Sequence, residues 1–454
     1  MIYHELGSYL AELRIRAGST QAEVAAHLAV TDKAISQWER GITVPRPEQL
    51  VKLTKEFGVP YERLLNESKK KQKRIVKIVI TGGPCAGKTS AHAEIRSHFE
   101  KKGYTVLIVQ ESATEMIRSG LTQEACGSVS SFQRNIFQNQ VKKESIFHQA
   151  ALNIDNEKIL IVCDRGTLDN KAYMGALSFT GMINSFGYKE VELRDSYDAV
   201  FHLVSAADGA EEYYTLPNDE ARSETPEEAR ALDKCIKHAW VGHPHLRVID
   251  NSTDFTGKMD RLIMEIESFM GDPEPYEIER KFLIPCPNLS QLEKKPNCER
   301  IEILQTYLLS NDPSVEERVR QRGRNNEYVF THTKKRNISD VKRVEIERQI
   351  DVTKYVQLLM RADPTRRQIV KTRYCVMEND LIYELDVFSS AEWNGKALLE
   401  IELSHEDAPF TLPDWVDKEQ AHEVTFDKAY TNAALAMIPG KGPQREGCDK
   451  VPHN

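Results

Sequence analysis

The fold of this chain is constrained most by one eight-residue segment, Gly82-Gly83-Pro84-Cys85-Ala86-Gly87-Lys88-Thr89. An apolar run over residues 75–80 precedes it, and a helix-like segment over residues 90–102 follows it. A strand, a glycine-rich turn and a helix in this order form the setting in which G-x-x-x-x-G-K-[ST] binds phosphate. A plain glycine turn with a chance lysine is the alternative, and the flanking strand and helix argue against it. The segment therefore predicts a nucleoside-triphosphate site.

Each residue type in this segment has a chemical reason to be there. Glycines let backbone N–H groups converge on the phosphates, and the N-terminus of the following helix adds partial positive charge. We expect Lys88 to reach the β- and γ-phosphates and the Thr89 hydroxyl to complete the shell of a Mg²⁺ or Mn²⁺ ion. Ser90, the next residue, is expected to contact the nucleotide as well. No N-K-x-D motif is present, so the sequence leaves GTP and ATP equally open.

Composition describes a multidomain protein without a membrane segment. A length of 454 residues suggests about three domains, at roughly 150 residues per domain. Hydrophobic residues make up 40% and charged residues 29%, and no apolar run is long enough for a membrane helix. The eight cysteines are scattered, and no basic-then-apolar leader opens the chain, so we expect a cytoplasmic protein. A net charge of −8 argues against overall affinity for nucleic acid, although local basic patches are compatible with it.

Residues 1–68 read as a compact helical unit. Leu6, Leu10 and Leu13 recur at helical spacing, and Thr20 to Glu23 form a capping box for the next helix. The run I-S-x-W-E-x-G…P, which begins at Ile35, resembles the Cro/repressor-type helix-turn-helix domain. In that family the second helix of the pair enters the major groove of DNA.

The resemblance implies a set of DNA-contacting residues on the outward face of that helix, with Ile35 and Trp38 in the core. This set consists of Thr31, Lys33, Ser36 and Gln37. Gln37 suits adenine, and Lys33 suits guanine or phosphate. We expect DNA binding as a homodimer, because one such unit makes few contacts. A helical interaction module without DNA binding is the alternative. A basic linker, residues 69–74, follows.

From residue 75 to residue 271, apolar runs alternate with amphipathic segments, which is the pattern of a parallel α/β sheet. The predicted strands cover residues 75–80, 105–109, 159–163, 199–204 and 247–249. Ligands of such sheets bind at the carboxyl ends of the strands, where Glu111, Asp164 and Asp250 lie. Asp164 is placed to hold magnesium or to act as a base toward a substrate hydroxyl, unless it merely caps the next helix.

A polar segment over residues 209–245 could form a lid in which Arg222 or Arg230 supplies positive charge to a transition state. The alternative is that each is an ordinary exposed helix arginine. The segment's sequence G-A-E-x-x-Y-T…A-R-x-E-T-P-E-E-A-R-x-L-D…W-x-G-H-P-H-L-x-V-I-D-N resembles the TRPL translocation defect proteins. These proteins share an ATPase-like domain with ribosylnicotinamide kinases. The resemblance implies a GTP-binding or ATP-binding P-loop domain.

Residues 275–438 contain short strand-like runs in which like charges recur two residues apart. Such spacing places both charges on one face of a strand, and an ordinary solvent-exposed face would be destabilised by them. A cation bound by the carboxylates and a polyphosphate bound by Arg and Lys remove that penalty. The sequence therefore favours a face that binds a ligand over a charged face that is only exposed to solvent.

The order of these charge pairs, beginning with E-x-E-x-K at Glu277, resembles the CYTH superfamily of triphosphate tunnel metalloenzymes. That resemblance implies an eight-stranded antiparallel β tunnel that hydrolyses or cyclises triphosphorylated substrates. It implies that Mg²⁺ or Mn²⁺ is bound by Glu277, Glu279, Asp386, Glu400 and Glu402. Phosphate is expected on Lys281, Arg318, Arg320, Lys371, Arg373 and Lys428, and the catalytic set is Lys334, Glu345, Glu347 and, in the P-loop domain, Asp164. The run Thr331-His332-Thr333-Lys334 departs from the family's T-x-K, which leaves the facing of Lys334 open.

The sequence thus predicts an all-α helix-turn-helix head, an α/β P-loop domain with a five-stranded parallel sheet, the antiparallel tunnel with helices, and a flexible tail over residues 439–454. The leading hypothesis is a metal-dependent phosphohydrolase that acts on a nucleoside triphosphate or on inorganic polyphosphate in the tunnel. A P-loop kinase of a nucleoside-like substrate is the second hypothesis. A nucleotide-sensing transcriptional regulator without enzymatic activity is the third.

Overall fold

The computed structural model describes residues 4–40, 43, 45–60, 73–214, 225–271, 278–310, 315–337, 343–403 and 408–438. Several expected features lie outside these residues: most of the basic linker, Arg222, Glu277 and the tail over residues 439–454. The side chain of Glu345 also lies outside the described part. No helix in the described ranges is both long and apolar enough to cross a membrane.

The head contains four described helices: α1 (His4–Arg16), α2 (Gln21–Leu28), α3 (Asp32–Glu39) and α4 (Pro47–Phe57). Its core includes Leu6, Leu10, Leu13, Val24, Leu28, Ile35, Trp38, Leu50 and Leu53. The predicted capping box is confirmed, since the Glu23 N–H donates to Thr20 Oγ1 at 3.2 Å and the Thr20 N–H donates to Glu23 Oε2 at 2.7 Å. Ala29, at φ 56°, adopts the left-handed conformation that turns the chain from α2 into α3.

The P-loop domain has five strands, β1 (Arg74–Thr81), β2 (Thr105–Val109), β3 (Lys158–Asp164), β4 (Ala199–Leu203) and β5 (Leu246–Ile249). They lie in the order β2-β3-β1-β4-β5, with β4 parallel to both β1 and β5. The predicted five-stranded parallel sheet is therefore confirmed. All five residues of β4 are buried, as expected for a central strand covered on both faces.

Nine described helices accompany this sheet: α5 (Lys88–Lys101), α6 (Ser112–Arg118), α7 (Gln123–Cys126), α8 (Val129–Asn153), α9 (Asp169–Met174), α10 (Ala176–Ser185), α11 (Glu190–Arg194), α12 (Pro226–Ala239) and α13 (Phe255–Met270). A short 3₁₀ helix covers Glu211–Tyr213. Helix α5 begins directly after Gly87, so the glycine-rich segment joins β1 to α5 as the sequence predicts.

The C-terminal part is a separate antiparallel sheet, formed by β6 (Ile278–Pro285), β7 (Cys298–Leu308), β8 (Val315–Arg324), β9 (Glu327–Asn337), β10 (Arg343–Ile350), β11 (Ile369–Glu378), β12 (Leu381–Phe388), β13 (Lys396–Leu403) and β14 (His422–Glu423). The order is β10-β9-β8-β7-β11-β12-β13-β6-β14. Eight long strands were predicted, and the described sheet adds a ninth strand of two residues, β14, at one end. Closure of the sheet into a tunnel stays a prediction.

Alternation along these strands separates the two faces of the sheet. One face packs on a core that includes Phe282, Ile284, Tyr374, Tyr383, Leu385, Leu399 and Ile401. The opposite face carries the charged residues in its middle. At one end of that face an apolar cluster of Tyr307, Ile369, Phe388 and Leu398 packs with the segment around α16 (Asn432–Leu435). The other described helices of this part are α14 (Leu289–Leu292) and α15 (Val352–Leu359).

Candidate functional sites

The glycine-rich segment has a backbone that its glycines make possible. Gly82 has φ 141°, and a Cβ atom there would lie 2.1 Å from the carbonyl oxygen of Leu203. Gly87 has φ 90°, and its Cβ would lie 2.8 Å from the Phe255 ring. Cys85 also has a positive φ, 55°. Positive φ values and close backbone approach explain the glycines at both ends of the loop.

Lys88 lies in the first turn of α5 and folds back over the loop. Its Nζ donates to the carbonyl oxygens of Gly82 and Gly83, both at 3.0 Å. Burial and the nearby Arg165 guanidinium lower the pKa of Lys88 to about 8. Thr89 and Ser90 are exposed at the start of the same helix. The ammonium group is thus held where phosphate oxygens would replace the loop carbonyls as its partners.

Acidic and basic side chains meet at the carboxyl end of β3. Burial raises the pKa of Asp164 to about 6, and its Oδ2 lies 3.6 Å from His92 Nδ1. Burial lowers the pKa of His92 to about 4, so this imidazole is neutral near pH 7. Asp164 does not cap the next helix, because Leu168 precedes α9. The alternative interpretation of Asp164 as a helix cap is therefore wrong.

Arg165 and Glu111 form an ion pair at the same edge. Arg165 adopts φ 67°, pairs with Glu111 through Nε and donates to Gly82 O at 3.3 Å through Nη1. Burial would raise the pKa of Glu111, but Arg165 and Lys88 lower it to about 2. Glu111 is therefore a fixed anion that positions the arginine.

Buried polar side chains support the loop from behind. Asp233 of α12 accepts hydrogen bonds from the Gly83 N–H at 2.7 Å and the Ser205 N–H at 3.2 Å. Lys258 of α13 donates to the carbonyl oxygens of Val204 at 2.6 Å and Ala86 at 3.3 Å. A charged side chain at a buried helix position is the sequence signal for such a role. Asp233, for example, follows buried Ala229 by one turn.

The donor set at this edge fits a magnesium-bound nucleotide. Asp164 Oδ1 is a buried carboxylate oxygen without a hydrogen-bond partner among the described residues. Such an atom is costly unless a ligand satisfies it, and Mg²⁺ prefers oxygen ligands and retained waters. Thr89 and Asp164 are the residues that would hold the ion.

The second site is the charged face of the antiparallel sheet. Strand register places one set of side chains on this face: Glu279, Lys281, Arg318, Arg320, Thr333, Glu347, Lys371, Arg373, Glu384, Asp386, Glu400 and Glu402. The structure thus brings together most of the residues predicted for a tunnel. Glu345 of β10 is backbone-paired with Lys335 of β9.

Lysine and arginine side chains neutralise the carboxylates in the middle of this face. Arg373 donates to Asp386 through Nε and Nη2, both at 2.7 Å, and Nη2 also donates to Glu400 at 2.7 Å. Lys371 Nζ pairs with Asp386 Oδ2, which also accepts from Arg373 Nη2, and Asp386 is fully buried. Lys281 lies 2.8 Å from Glu400 and 3.1 Å from Glu279. Asp386 is therefore an internal counter-ion here rather than a free metal ligand.

A second group on this face surrounds Glu347. The Thr333 hydroxyl donates to Glu347 Oε2 at 2.6 Å, and Arg320 Nη1 lies 3.8 Å from the same oxygen. Burial would raise the pKa of Glu347, but Arg320, Thr333 and Arg318 lower it to about 2. Burial and Arg318 in turn lower the pKa of Arg320. Two arginines on one face of β8, two residues apart, are suited to an anionic ligand.

The acidic residues of β6 and β13 have the chemistry of a divalent-cation site. Glu402 lies directly opposite Glu279 in the register, and Glu400 is two residues before Glu402. Like charges directly opposite are destabilising unless a cation lies between them. As the side chains are placed, no three metal-binding side chains of the described residues are close enough to hold an ion. The donor set therefore fits Mg²⁺ or Mn²⁺ in kind, while lysine and arginine now hold these carboxylates.

Two predicted residues are not brought to this face. Lys334 lies on the opposite face of β9, where its Nζ pairs with Glu317 at 2.8 Å. The extra residue in the T-H-T-K run accounts for this facing, and the catalytic role expected for Lys334 is corrected accordingly. Lys428 lies exposed in a 3₁₀ helix, Lys428–Tyr430, outside the sheet.

The P-loop domain and the antiparallel sheet share ion pairs. Arg322 of β8 donates to Asp195 at 3.0 Å and to the Gly242 carbonyl at 2.7 Å, and all three lie at a largely buried contact. Lys237 of α12 pairs with Asp380, in the turn between β11 and β12. The sequence pattern gave no expectation of these contacts, because they depend on tertiary placement.

In the head, α3 presents the residues expected to contact DNA. Thr31 is the N-cap of α3, and its hydroxyl accepts from the Ala34 N–H at 3.2 Å. Lys33 is exposed, while Ser36 and Gln37 are partly exposed. Ile35 and Trp38 are buried, which confirms the predicted core face.

Comparisons with known proteins identify two of the three parts. Residues 77–258 match the model of an AAA domain, and residues 5–66 match that of a helix-turn-helix domain. The chain thus contains an AAA-type P-loop domain, which suggests nucleotide binding, and an N-terminal helix-turn-helix domain, which suggests DNA binding. A sequence comparison with curated proteins finds no match. The narrower resemblance to TRPL translocation defect proteins stays a prediction.

Several solved structures are similar to parts of this chain. The inorganic triphosphatase NE1496 is 34% identical over 36% of this chain and 97% of its own, with a TM-score of 0.27. A structure titled as the hypothetical protein NE1496 is 32% identical over 36% and 99%, also with a TM-score of 0.27. The clp gene regulator ClgR from C. glutamicum is 26% identical over 15% and 88%, with a TM-score of 0.14. These low overall scores carry no argument about activity.

Proposed function

We propose that this protein is a metal-dependent phosphohydrolase whose charged face cleaves a nucleoside triphosphate or inorganic triphosphate. The observation that carries the proposal is the placement of acidic and basic rows on one face of one sheet. Arg318, Arg320, Lys371 and Arg373 form the basic row, and Glu279, Glu400 and Glu402 form the acidic row. In-line cleavage of a phosphoanhydride needs positioning and charge neutralisation more than a dedicated nucleophile.

Each part of the face has a role in this proposal. The basic row binds and orients phosphate oxygens, with Lys281 between the two rows. Glu277, Glu279, Glu400 and Glu402 would hold Mg²⁺ or Mn²⁺, which would neutralise phosphate charge and lower the pKa of bound water. Glu347 is anionic near pH 7, because its pKa is held at about 2, so it can accept a hydrogen bond from the attacking water. Glu345, beside it in β10, would share this role.

In this proposal the P-loop domain binds GTP or ATP through residues 82–90 and does not carry the main turnover. Lys88 and Thr89 contact the nucleotide and its metal. The helix-turn-helix head binds DNA as a dimer, so that hydrolysis, nucleotide binding and DNA binding are coupled in one chain.

The test is phosphate release from tripolyphosphate, ATP and GTP with Mn²⁺. Glu279→Gln should reduce release by about 10²-fold or more, because a metal ligand is lost. Lys88→Ala should leave it near the wild-type rate, and exposed Glu419→Gln is the matched control. If Lys88→Ala abolishes phosphate release while Glu279→Gln does not, hydrolysis takes place at the P-loop and the proposal fails.

A kinase activity is the second candidate, and the carboxylate of Asp164 favours it. Its raised pKa of about 6 and its unpartnered Oδ1 suit a group that takes a proton from a substrate hydroxyl. Transfer of the γ-phosphate of ATP or GTP to a nucleoside, lost in Asp164→Asn, would establish the kinase. Release of inorganic phosphate alone would exclude it under those conditions.

A further inference from the structure

One side chain of the P-loop domain reaches the acidic row of the charged face. Arg247 lies on β5, the end strand of the parallel sheet, and its Nη2 pairs with Glu402 of β13. On the other side, Arg247 Nε lies 3.6 Å from Glu265 of α13, within its own domain. Arg247 therefore lies between two carboxylates, one in each domain.

The position of Glu402 gives this contact a chemical meaning. Glu402 stands directly opposite Glu279 across β13 and β6, so their charges repel unless a cation is near. Lys281 neutralises Glu279 and Glu400, and Arg247 neutralises Glu402. The protein thus supplies a cation from another domain to the residue expected to bind a divalent metal.

Other contacts between the P-loop domain and the sheet hold Arg247 near Glu402. Arg322 donates to Asp195 and to Gly242 O, and Lys237 pairs with Asp380, so residues that precede β5 in the chain join the P-loop domain to the sheet. The side chains of Arg247 and Glu402 are only 25% and 36% exposed. A side chain in this setting can exchange partners without a rearrangement of the domains.

We propose that Arg247 is an internal counter-cation of the charged face, which competes with a divalent metal for Glu402. When the metal binds, Arg247 moves its ion pair from Glu402 to Glu265. Metal loading of the sheet is thereby linked to β5 and α13 of the P-loop domain. The inference rests on the proposed function, because it uses Glu402 as a metal ligand.

The experiment measures Mn²⁺ binding to the full-length protein by electron paramagnetic resonance, without nucleotide, so that the P-loop lacks the phosphates that hold its metal. Arg247→Met keeps the apolar stem and removes the competing charge. It should tighten Mn²⁺ binding roughly two- to fivefold, the range expected for loss of a partly exposed ion pair. Arg261→Met is the matched control, since Arg261 on α13 pairs with Asp250 within the P-loop domain.

A double-mutant comparison isolates the contact. In a Glu402→Gln background, Arg247→Met should not tighten Mn²⁺ binding further, because the carboxylate for which Arg247 and the metal compete is gone. Thermal unfolding of each variant checks that it is folded. Unchanged or weaker Mn²⁺ binding in folded Arg247→Met overturns the inference, as does an equal gain in Arg261→Met.

Failure of the inference can be told from failure of the proposed function. If Mn²⁺ binding requires Glu279 but ignores Arg247, the inference is wrong and the metal site stands. If the wild-type protein binds no Mn²⁺ through Glu279 or Glu402, both are wrong.

Discussion

The two regions of this chain that are proposed to bind phosphate differ in the groups that form them. The loop at residues 82–89 depends on backbone geometry: glycines at positive φ, carbonyl groups that hold Lys88, and a helix that begins at Lys88. The charged face depends on side chains, each spaced two residues apart along a strand. In the loop, the close approach of individual backbone atoms determines whether a ligand fits. On the charged face, the balance of positive and negative charge determines it.

The difference also concerns what a ligand must displace. At the loop, phosphate replaces two neutral carbonyl partners of Lys88. On the charged face, the proposed phosphate and metal would have to replace existing ion pairs such as Lys281–Glu400 and Arg247–Glu402. The face is therefore satisfied before a ligand arrives, and its occupancy is a competition between internal and external ions.

The largest expected effect is steric and lies in the loop. Gly82→Ala would put a Cβ atom 2.1 Å from the Leu203 carbonyl oxygen, at φ 141°, so backbone must move. We expect a loss of about 3–5 kcal/mol in unfolding free energy and the loss of nucleotide binding. Thermal unfolding and ATP titration measure both effects.

The control for that change is Gly120→Ala. Gly120 has φ 86°, but its Cβ would meet nothing within 4 Å, so only backbone strain is added. We expect a cost of about 1 kcal/mol and unchanged nucleotide binding. Equal losses of unfolding free energy in both variants would show that the close approach to Leu203 is unimportant. Steric fit would then not distinguish the loop from the charged face.

The next effect is electrostatic and lies on the charged face. Asp386 is fully buried and accepts from both Arg373 and Lys371. Asp386→Asn keeps the shape but leaves two buried cations short of a counter-charge, which we expect to cost about 3 kcal/mol. The urea midpoint of the full chain measures the loss, and exposed Asp417→Asn should leave it unchanged. A midpoint equal to wild type would mean that Arg373 is satisfied by Glu384 and Glu400 alone.

The sequence predicts the loop better than the face, for physical reasons. The loop is one contiguous motif between a strand and a helix, so the positions of Lys88 and Thr89 could be predicted without tertiary information. Period two along strands also predicts the rows of Glu279, Arg318 and Arg373. The family resemblance included Lys334 in the site but left its facing open, and the extra residue places this lysine on the opposite face.

The remaining features depend on which elements meet. Asp386 was expected to bind metal, but the register places Lys371 and Arg373 around it. Asp233 accepts from the Gly83 N–H, 150 residues away in the chain, and Arg247 pairs with Glu402, 155 residues away. No local pattern identifies such partners.

A smaller effect concerns pH and a buried histidine of the P-loop domain. His243 is buried, its Nε2–H donates to the Tyr197 carbonyl at 3.0 Å, and its Nδ1 accepts from the His245 N–H at 3.0 Å. Burial lowers the pKa of His243 to about 3. The unfolded chain binds a proton below about pH 6.5, whereas the folded chain resists it until about pH 3.

Stability should therefore fall as pH falls through this window. At pH 5.5 the histidine costs about 1.4 kcal/mol relative to pH 7.5. Urea midpoints at both pH values, for wild type and for His243→Gln, measure the term as a difference. Identical pH dependence in the two proteins would contradict a neutral buried His243.

The smallest expected effect tests the head as a third type of phosphate contact, made by exposed side chains alone. Lys33 on α3 is exposed, and Lys55 is an exposed lysine on α4 that is not among the residues expected to contact DNA. Lys33→Ala should weaken DNA binding a few-fold and reduce the slope of log K against log salt by about 1, because one phosphate contact is lost. Lys55→Ala should change neither. Gel-shift titrations over a range of salt, with DNA from upstream of the coding sequence, measure both quantities. A loss of affinity without a change in salt slope would assign Lys33 to a base edge instead, and no shift by the wild-type protein would exclude DNA binding by the head.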